Sequence, residues 1–311
     1  MAGTATGTER SMTFESPVLE LRKGSGEEAS AEQSAALREA VRSGTLPTRE
    51  EFLDAYPQFS TAACTFLSGS LVEGWGNVKS DIDAFVVTEE AEPPRSPSLL
   101  LMEESVSTQD PTVWIALGQL GPFRVDIEVW HVAQIDELVS RFVRPTEDGR
   151  NHYQGYTGSM SLHERDLFYR LCVGRPLTGS DWWGRQRQAI VESDYALWLA
   201  EDHKVGGENR LEDVLGMLSN GDARSAALAA REAFIIALSA VLAAHGDICP
   251  SRKWLPQRLE RHQPPEISSE EAWRVLSMAG CVDSPGEWAS ETARLCHRLF
   301  LAVERALTEQ R

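Results

Sequence analysis

Asp81 and Asp83, two residues apart, carry the first spacing in this chain that implies chemistry. In an extended strand, side chains two apart share a face, so the two carboxylates stand together while Ile82 turns toward the core. Carboxylates that close repel one another, and one of them protonates unless a cation intervenes; a divalent metal reverses that preference. Upstream lies Gly69-Ser70, between the apolar run Cys64 to Leu67 and the acidic pair. A glycine there lets the backbone approach a phosphate closely. The Ser70 hydroxyl and amide can donate to that phosphate, at the start of a short glycine-interrupted helix expected to follow.

A second acidic strand reads Val125-Asp126-Ile127-Glu128-Val129. Its alternation puts Asp126 and Glu128 on one side and the aliphatic residues on the other. Asp126 is the first choice for a third metal ligand. Glu128 is the second, or else the base that takes a proton from an attacking hydroxyl. A pair of magnesium ions on such a site bridges triphosphate oxygens and stabilises both the entering and the leaving oxygen of an in-line displacement.

These residues need elements to hold them. Helical spacing begins at Ala31 and again after Pro47-Thr48. Strand-length runs follow at Cys64–Leu67, Ile82–Val87, Val113–Leu117 and Phe123–Trp130, the last two joined closely enough for a hairpin. Glu89 to Ser98, with its three prolines, reads as a surface loop. Beyond Asn151 strand signals nearly vanish. Helices are expected over Leu162–Cys172, Asp194–Glu201, Arg210–Leu218, Ala223–Ala244, Lys253–Arg261, Glu270–Ala279 and Trp288–Leu307, with Trp182 and Trp183 in a loop. The resulting fold class is α/β, more narrowly α+β: a small mixed sheet over residues 32–150, a helical domain over 151–311 that can close a cleft against it, and a loose tail over 1–31.

Gly69-Ser70, Ser80-Asp81-Ile82-Asp83 and the acidic strand at Asp126 together resemble the DNA-polymerase-beta-like nucleotidyltransferase superfamily, especially its antibiotic-modifying aminoglycoside and lincosamide branch. The resemblance covers residues 60–132 best. It extends into the helical half through His163-Glu164-Arg165, the stretch Gly174-Arg175-Pro176-Leu177-Thr178-Gly179, and Ser251-Arg252-Lys253-Trp254-Leu255. It implies a catalytic set of Asp81, Asp83, Asp126 and Glu128, with metal held by Asp81, Asp83 and Asp126. It also implies a nucleotide seat of Gly69, Ser70, Ser80 and Lys253, two Mg²⁺ ions, and AMP transfer from ATP to a hydroxyl with release of pyrophosphate.

Composition limits the partners. Thirty Lys plus Arg against 47 Asp plus Glu give a net charge of −17, which argues against duplex-DNA, template or anionic-membrane binding, since these need clustered cations. An acidic chain suits a small, hydroxylated and cationic acceptor. Adenylylation of a protein partner and nucleotide binding without turnover are the alternatives. Five cysteines without a CxxC pair argue against a zinc ribbon or a disulfide framework. The N-terminus has no secretory pattern, and the apolar run Ala233 to Ala244 is short for a membrane span, so a cytoplasmic location is expected.

Overall fold

The computed structural model describes residues 31–90, 100–105, 112–143 and 160–309. The tail expected over 1–31 falls outside these residues apart from Ala31; the expected boundary near 150 and most of the Glu89–Ser98 loop fall outside them as well. The described part begins with two helices, α1 (Ala31–Ser43) and α2 (Arg49–Ala55). Thr48 and Glu51 close a reciprocal capping box at the start of α2, satisfying donors that a helix end otherwise leaves open.

Among the described residues, six strands then build one sheet: β1 (Cys64–Ser68), β2 (Ile82–Thr88), β3 (Leu100–Ser105), β4 (Thr112–Leu120), β5 (Phe123–His131) and β6 (Arg175–Thr178). Their order is β3-β4-β5-β2-β1-β6, with β2 and β5 parallel and every other pair antiparallel. Two of these strands lie outside the sequence expectation. Both β3 and β6 are edge strands, paired on one side only, where a clean period of two is not enforced. Pro176 is tolerated in β6 because an edge position need not donate on both sides. The sheet thus takes its sixth strand from beyond residue 150.

Alternation along β2 and β5 sorts the core. Ile82, Ala84, Val86, Val125, Ile127 and Val129 pack with Phe52, Tyr56 and Phe59 on one face. The opposite face carries Phe66, Phe85, Val87 and Trp130, which join the core of the helical half. Phe66 and Phe85 are register partners whose rings stack 4.9 Å apart, a pairing worth about 0.5–1.5 kcal/mol beyond area burial. Asp83 precedes Phe85 by two residues, so the same alternation turns its carboxylate toward the helices.

The helical half comprises α3 (Val132–Ser140), α4 (Leu162–Val173), α5 (Ser180–Glu192), α6 (Tyr195–Ser219), α7 (Ala223–Ala244), α8 (Leu255–His262), α9 (Ser269–Leu276) and α10 (Pro285–Glu309). Trp182 and Trp183 lie on α5, not in a loop, and pack partly buried against the main core. The two helices expected over 194–218 are one. Helix α6 runs through Gly206-Gly207; a side chain at Gly207 would meet the Phe300 ring of α10 at 2.2 Å, so the glycine permits close helix packing. Helix α7 has the expected bounds, Ala223–Ala244. Helix α7 spans 22 residues with a mean hydropathy of 1.8 in its most apolar window, enough by length and composition to cross a membrane, yet 72% of that window is buried inside the protein. All five cysteines are free, Cys172 half-buried and the rest buried.

Candidate active site

The site forms where β1 and β2 meet. Gly69 follows β1 with φ of +95°, a conformation that L side chains rarely adopt. A Cβ there would lie 2.0 Å from Asp83 Oδ2 and 3.0 Å from the Arg170 guanidinium. The glycine is therefore needed for the Asp83 carboxylate to fold over the turn, beyond any approach of phosphate. The residues after it form consecutive turns and not the expected helix. Glu73 donates its amide to the Gly69 carbonyl, and the Trp75 and Gly76 amides both converge on the Ser70 carbonyl. No helix dipole is available to Ser70. Its hydroxyl instead donates to Ser80 Oγ at 3.2 Å, and Ser80 Oγ also accepts the Asn77 amide, closing the loop just before the acidic pair.

Asp83 stands opposite Ser68 on one side and Asp126 on the other; Glu128 stands opposite Phe85. Burial pushes the Asp83 carboxyl up to about 6. The Arg170 cation opposes that shift, and Asp166, Asp81 and Asp126 add to it. Burial likewise lifts Glu128 to about 7, against a hydrogen bond donated by Trp130 Nε1 at 3.0 Å. Arg170 is the counter-charge: it reaches Asp83 at 2.9 Å and Asp166, one helical turn away on α4, at 3.0 Å. Asp81 faces Arg124 at 3.5 Å.

A cavity of about 400 Å³ opens over these groups. Ser70, Asp81, Asp83 and Glu128 line it from the sheet side, with Asp166, Tyr169 and Arg170 from α4 and Lys253 and Trp254 from the segment before α8. Lys253 is thus brought to the acidic residues from the far half of the chain. Asp126 is placed differently from Glu128: it acts on Asp83 through its charge but is not part of the cavity wall. His163 lies in the wall, whereas His131 caps α3, its Nδ1 accepting the Ala133 amide.

Whether these residues suit a divalent cation turns on the donor set. Hard carboxylate oxygens from Asp81 and Asp83, with Asp126 beside them, are the right kind for Mg²⁺. Burial is the first cause of the raised Asp83 value; the neighbouring Asp166, Asp81 and Asp126 add to it against Arg170, so negative charge collects there. Among the described residues, no three His, Cys, Asp or Glu side chains converge as a ready metal-binding group. The fit is therefore one of donor type and charge.

A contact missed by sequence reading ties the turn to the helical half. Glu73, its side chain 5% exposed, accepts the Tyr169 hydroxyl and an Arg261 N–H at 3.1 Å. Arg261 also lies 4.0 Å from the Trp75 ring centre, and Trp75 packs 5.8 Å from Trp254. Glu73→Ala leaves both donors without their carboxylate and is expected to lower stability by about 1–3 kcal/mol, read from urea unfolding. An unchanged midpoint would show that the contact contributes nothing.

No family model matches the chain, and none of the curated proteins matches it. Among solved structures, the nucleotidyltransferase-like protein from Exiguobacterium sibiricum 255-15 is 12% identical, with a TM-score of 0.39 over 84% of this chain and 75% of that one. Likeness at that level is too low to bear on function, which rests on the geometry.

Asp166, Tyr169, Arg170, Glu73 and Trp254 were absent from the sequence-derived site. The spacing of Asp166 and Arg170, four apart on a helix, is legible as an ion pair. What that helix face meets is not.

Proposed function

We propose that the protein is a magnesium-dependent nucleotidyltransferase that moves AMP from ATP to a hydroxyl of a small molecule and releases pyrophosphate. The observation that carries this reading is the Asp81/Asp83 pair at the sheet end, under the Gly69-Ser70 turn and in one cavity with Glu128 and Lys253. Asp81 and Asp83 would hold the metal, with Asp126 adding negative charge beside Asp83, and when bound it would supply positive charge to the phosphate oxygens. The chain's own groups do the rest. Ser70 and Ser80 present hydroxyls at the turn, and Lys253 brings a cation to the phosphates that leave. Glu128 accepts the acceptor's proton as that oxygen bonds to the α-phosphorus and the bond to the pyrophosphate oxygen breaks.

The test is pyrophosphate release from each of the four common ribonucleoside triphosphates with magnesium, across hydroxylated acceptors, with Asp81→Asn as control. Turnover of the variant at the parent rate would remove the acidic pair from the reaction. A base must be ionised to act, so a Glu128 near 7 predicts that kcat/KM falls as pH drops below about 7. Glu128→Gln is expected to cost roughly 10²–10⁴-fold and to abolish that limb. A Glu128→Gln variant that keeps both rate and profile would assign the proton to another group.

A further inference from the structure

A second cavity, of about 740 Å³, lies in the helical half and shares Leu162 and Pro250 with the wall of the acidic one. Leu199 and Val205 of α6 and Ile236 of α7 give it an apolar side, and Arg165, Asp202 and Arg252 carry its charge. Asp202 is the sole carboxylate in this wall among the described residues, and Arg165 already holds it at 2.9 Å. The same guanidinium lies 5.1 Å from the Trp198 ring centre, and its Nε is buried with no hydrogen-bond partner. Arg252 is exposed at the rim. His203, also in the wall, is pushed down to about 4 by burial, with Asp202 opposing and Arg165, Arg258 and Arg252 adding to the shift, so at neutral pH it brings no charge.

Two guanidinium groups and one carboxylate that is already paired make this wall net positive inside a chain of net charge −17. The adjoining cavity has the opposite sign: Glu73, Asp81, Asp83, Glu128 and Asp166 against Arg170 and Lys253. A ligand ammonium entering the second cavity would meet cations and find no free carboxylate among the described residues. A ligand carboxylate or phosphate would meet the exposed Arg252 and the positive charge of the largely buried Arg165, and hydrogen bonds to such cations are the strong ones. The acidity that favours a cationic acceptor in the sequence as a whole stops short of this wall.

We infer that this second cavity is the acceptor site, and that the acceptor is a small hydroxylated molecule bearing a carboxylate or phosphate group and not an amino sugar. The inference rests on the nucleotidyl-transfer reading. The anionic group sits on Arg252 and Arg165, the apolar part lies along Leu199 and Ile236, and the reacting hydroxyl points past Leu162 and Pro250 toward Glu128.

The test is calorimetric titration of the full chain, with magnesium and α,β-methylene ATP, using four six-carbon sugar derivatives: D-gluconate, glucose 6-phosphate, glucose and glucosamine. At least one of the two anions is expected to bind tenfold or more tighter than glucosamine, and which one binds separates the carboxylate from the phosphate. Arg252→Ala, a change at an exposed position, should weaken that anion tenfold or more and leave nucleotide affinity within twofold. Glucosamine binding as tightly as the anions, binding of neither anion, or no effect of Arg252→Ala would each overturn the inference. Nucleotide binding without anion binding sinks this inference alone. Anion binding without magnesium-dependent nucleotide binding removes the transfer reading beneath it.

Discussion

Asp83→Asn is expected to lower pyrophosphate release on the order of 10³-fold while leaving the metal-free protein as stable as its parent or more so. Under the proposed reaction, activity falls because Asn would no longer help hold the metal, whose charge would supply several kcal/mol of transition-state stabilisation, and each 1.36 kcal/mol is a factor of ten in rate. Stability does not fall with it, for a separate reason. The folded Asp83 carboxyl titrates near 6, above its ordinary 3.8, so in the metal-free protein its ionised form opposes folding at neutral pH. The sign follows: between about pH 4 and 6 the folded state binds the extra proton, and stability rises as pH falls through that window. Asparagine has no proton to bind and should flatten this slope, and Arg170 retains Asp166 as a partner. Thermal melts at pH 5 and pH 8 with and without magnesium, beside turnover, check both halves. A variant within tenfold of parental turnover would take Asp83 out of the metal site.

Gly69→Ala is expected to reduce activity at least 100-fold and stability by about 2–3 kcal/mol, since backbone strain at positive φ costs roughly 1–3 kcal/mol and the new methyl must also displace a partly buried carboxylate. The displaced group is Asp83, 2.0 Å from where the methyl would stand, and its Arg170 partner is at 3.0 Å. Gly74→Ala is the matched control. It also has positive φ, +78°, but nothing lies within 4 Å of a Cβ there. The control should show backbone strain alone, roughly 1–2 kcal/mol in urea unfolding, with turnover nearly intact. Equal effects of the two substitutions would mean that the approach of Asp83 to the turn does not matter to the site.

The sheet strands that hold the acidic residues were legible because their side chains alternate. β2 and β5 follow Ile82, Ala84, Val86 and Val125, Ile127, Val129 on one face, which fixes Asp83, Asp126 and Glu128 on the other. Strands β3 and β6 were not legible, since an edge strand makes fewer demands on its residues. The close approach of Phe300 of α10 to α6 at Gly207 has no local signal in the sequence.

That Asp83 and the Asp126/Glu128 pair are presented from strands, with Asp81 just ahead of β2 and after a glycine-serine turn, was written in the order of the residues, because period and turn chemistry are local properties of a few consecutive positions. What meets those carboxylates was not. Arg170 pairs with Asp83 across 87 residues of chain and Arg261 with Glu73 across 188, and the positive wall around Arg165 and Arg252 appears only when α4, α6 and α7 pack. Pairings of that separation are set by which helix faces are buried together, and the net charge of a chain does not say where its charges collect.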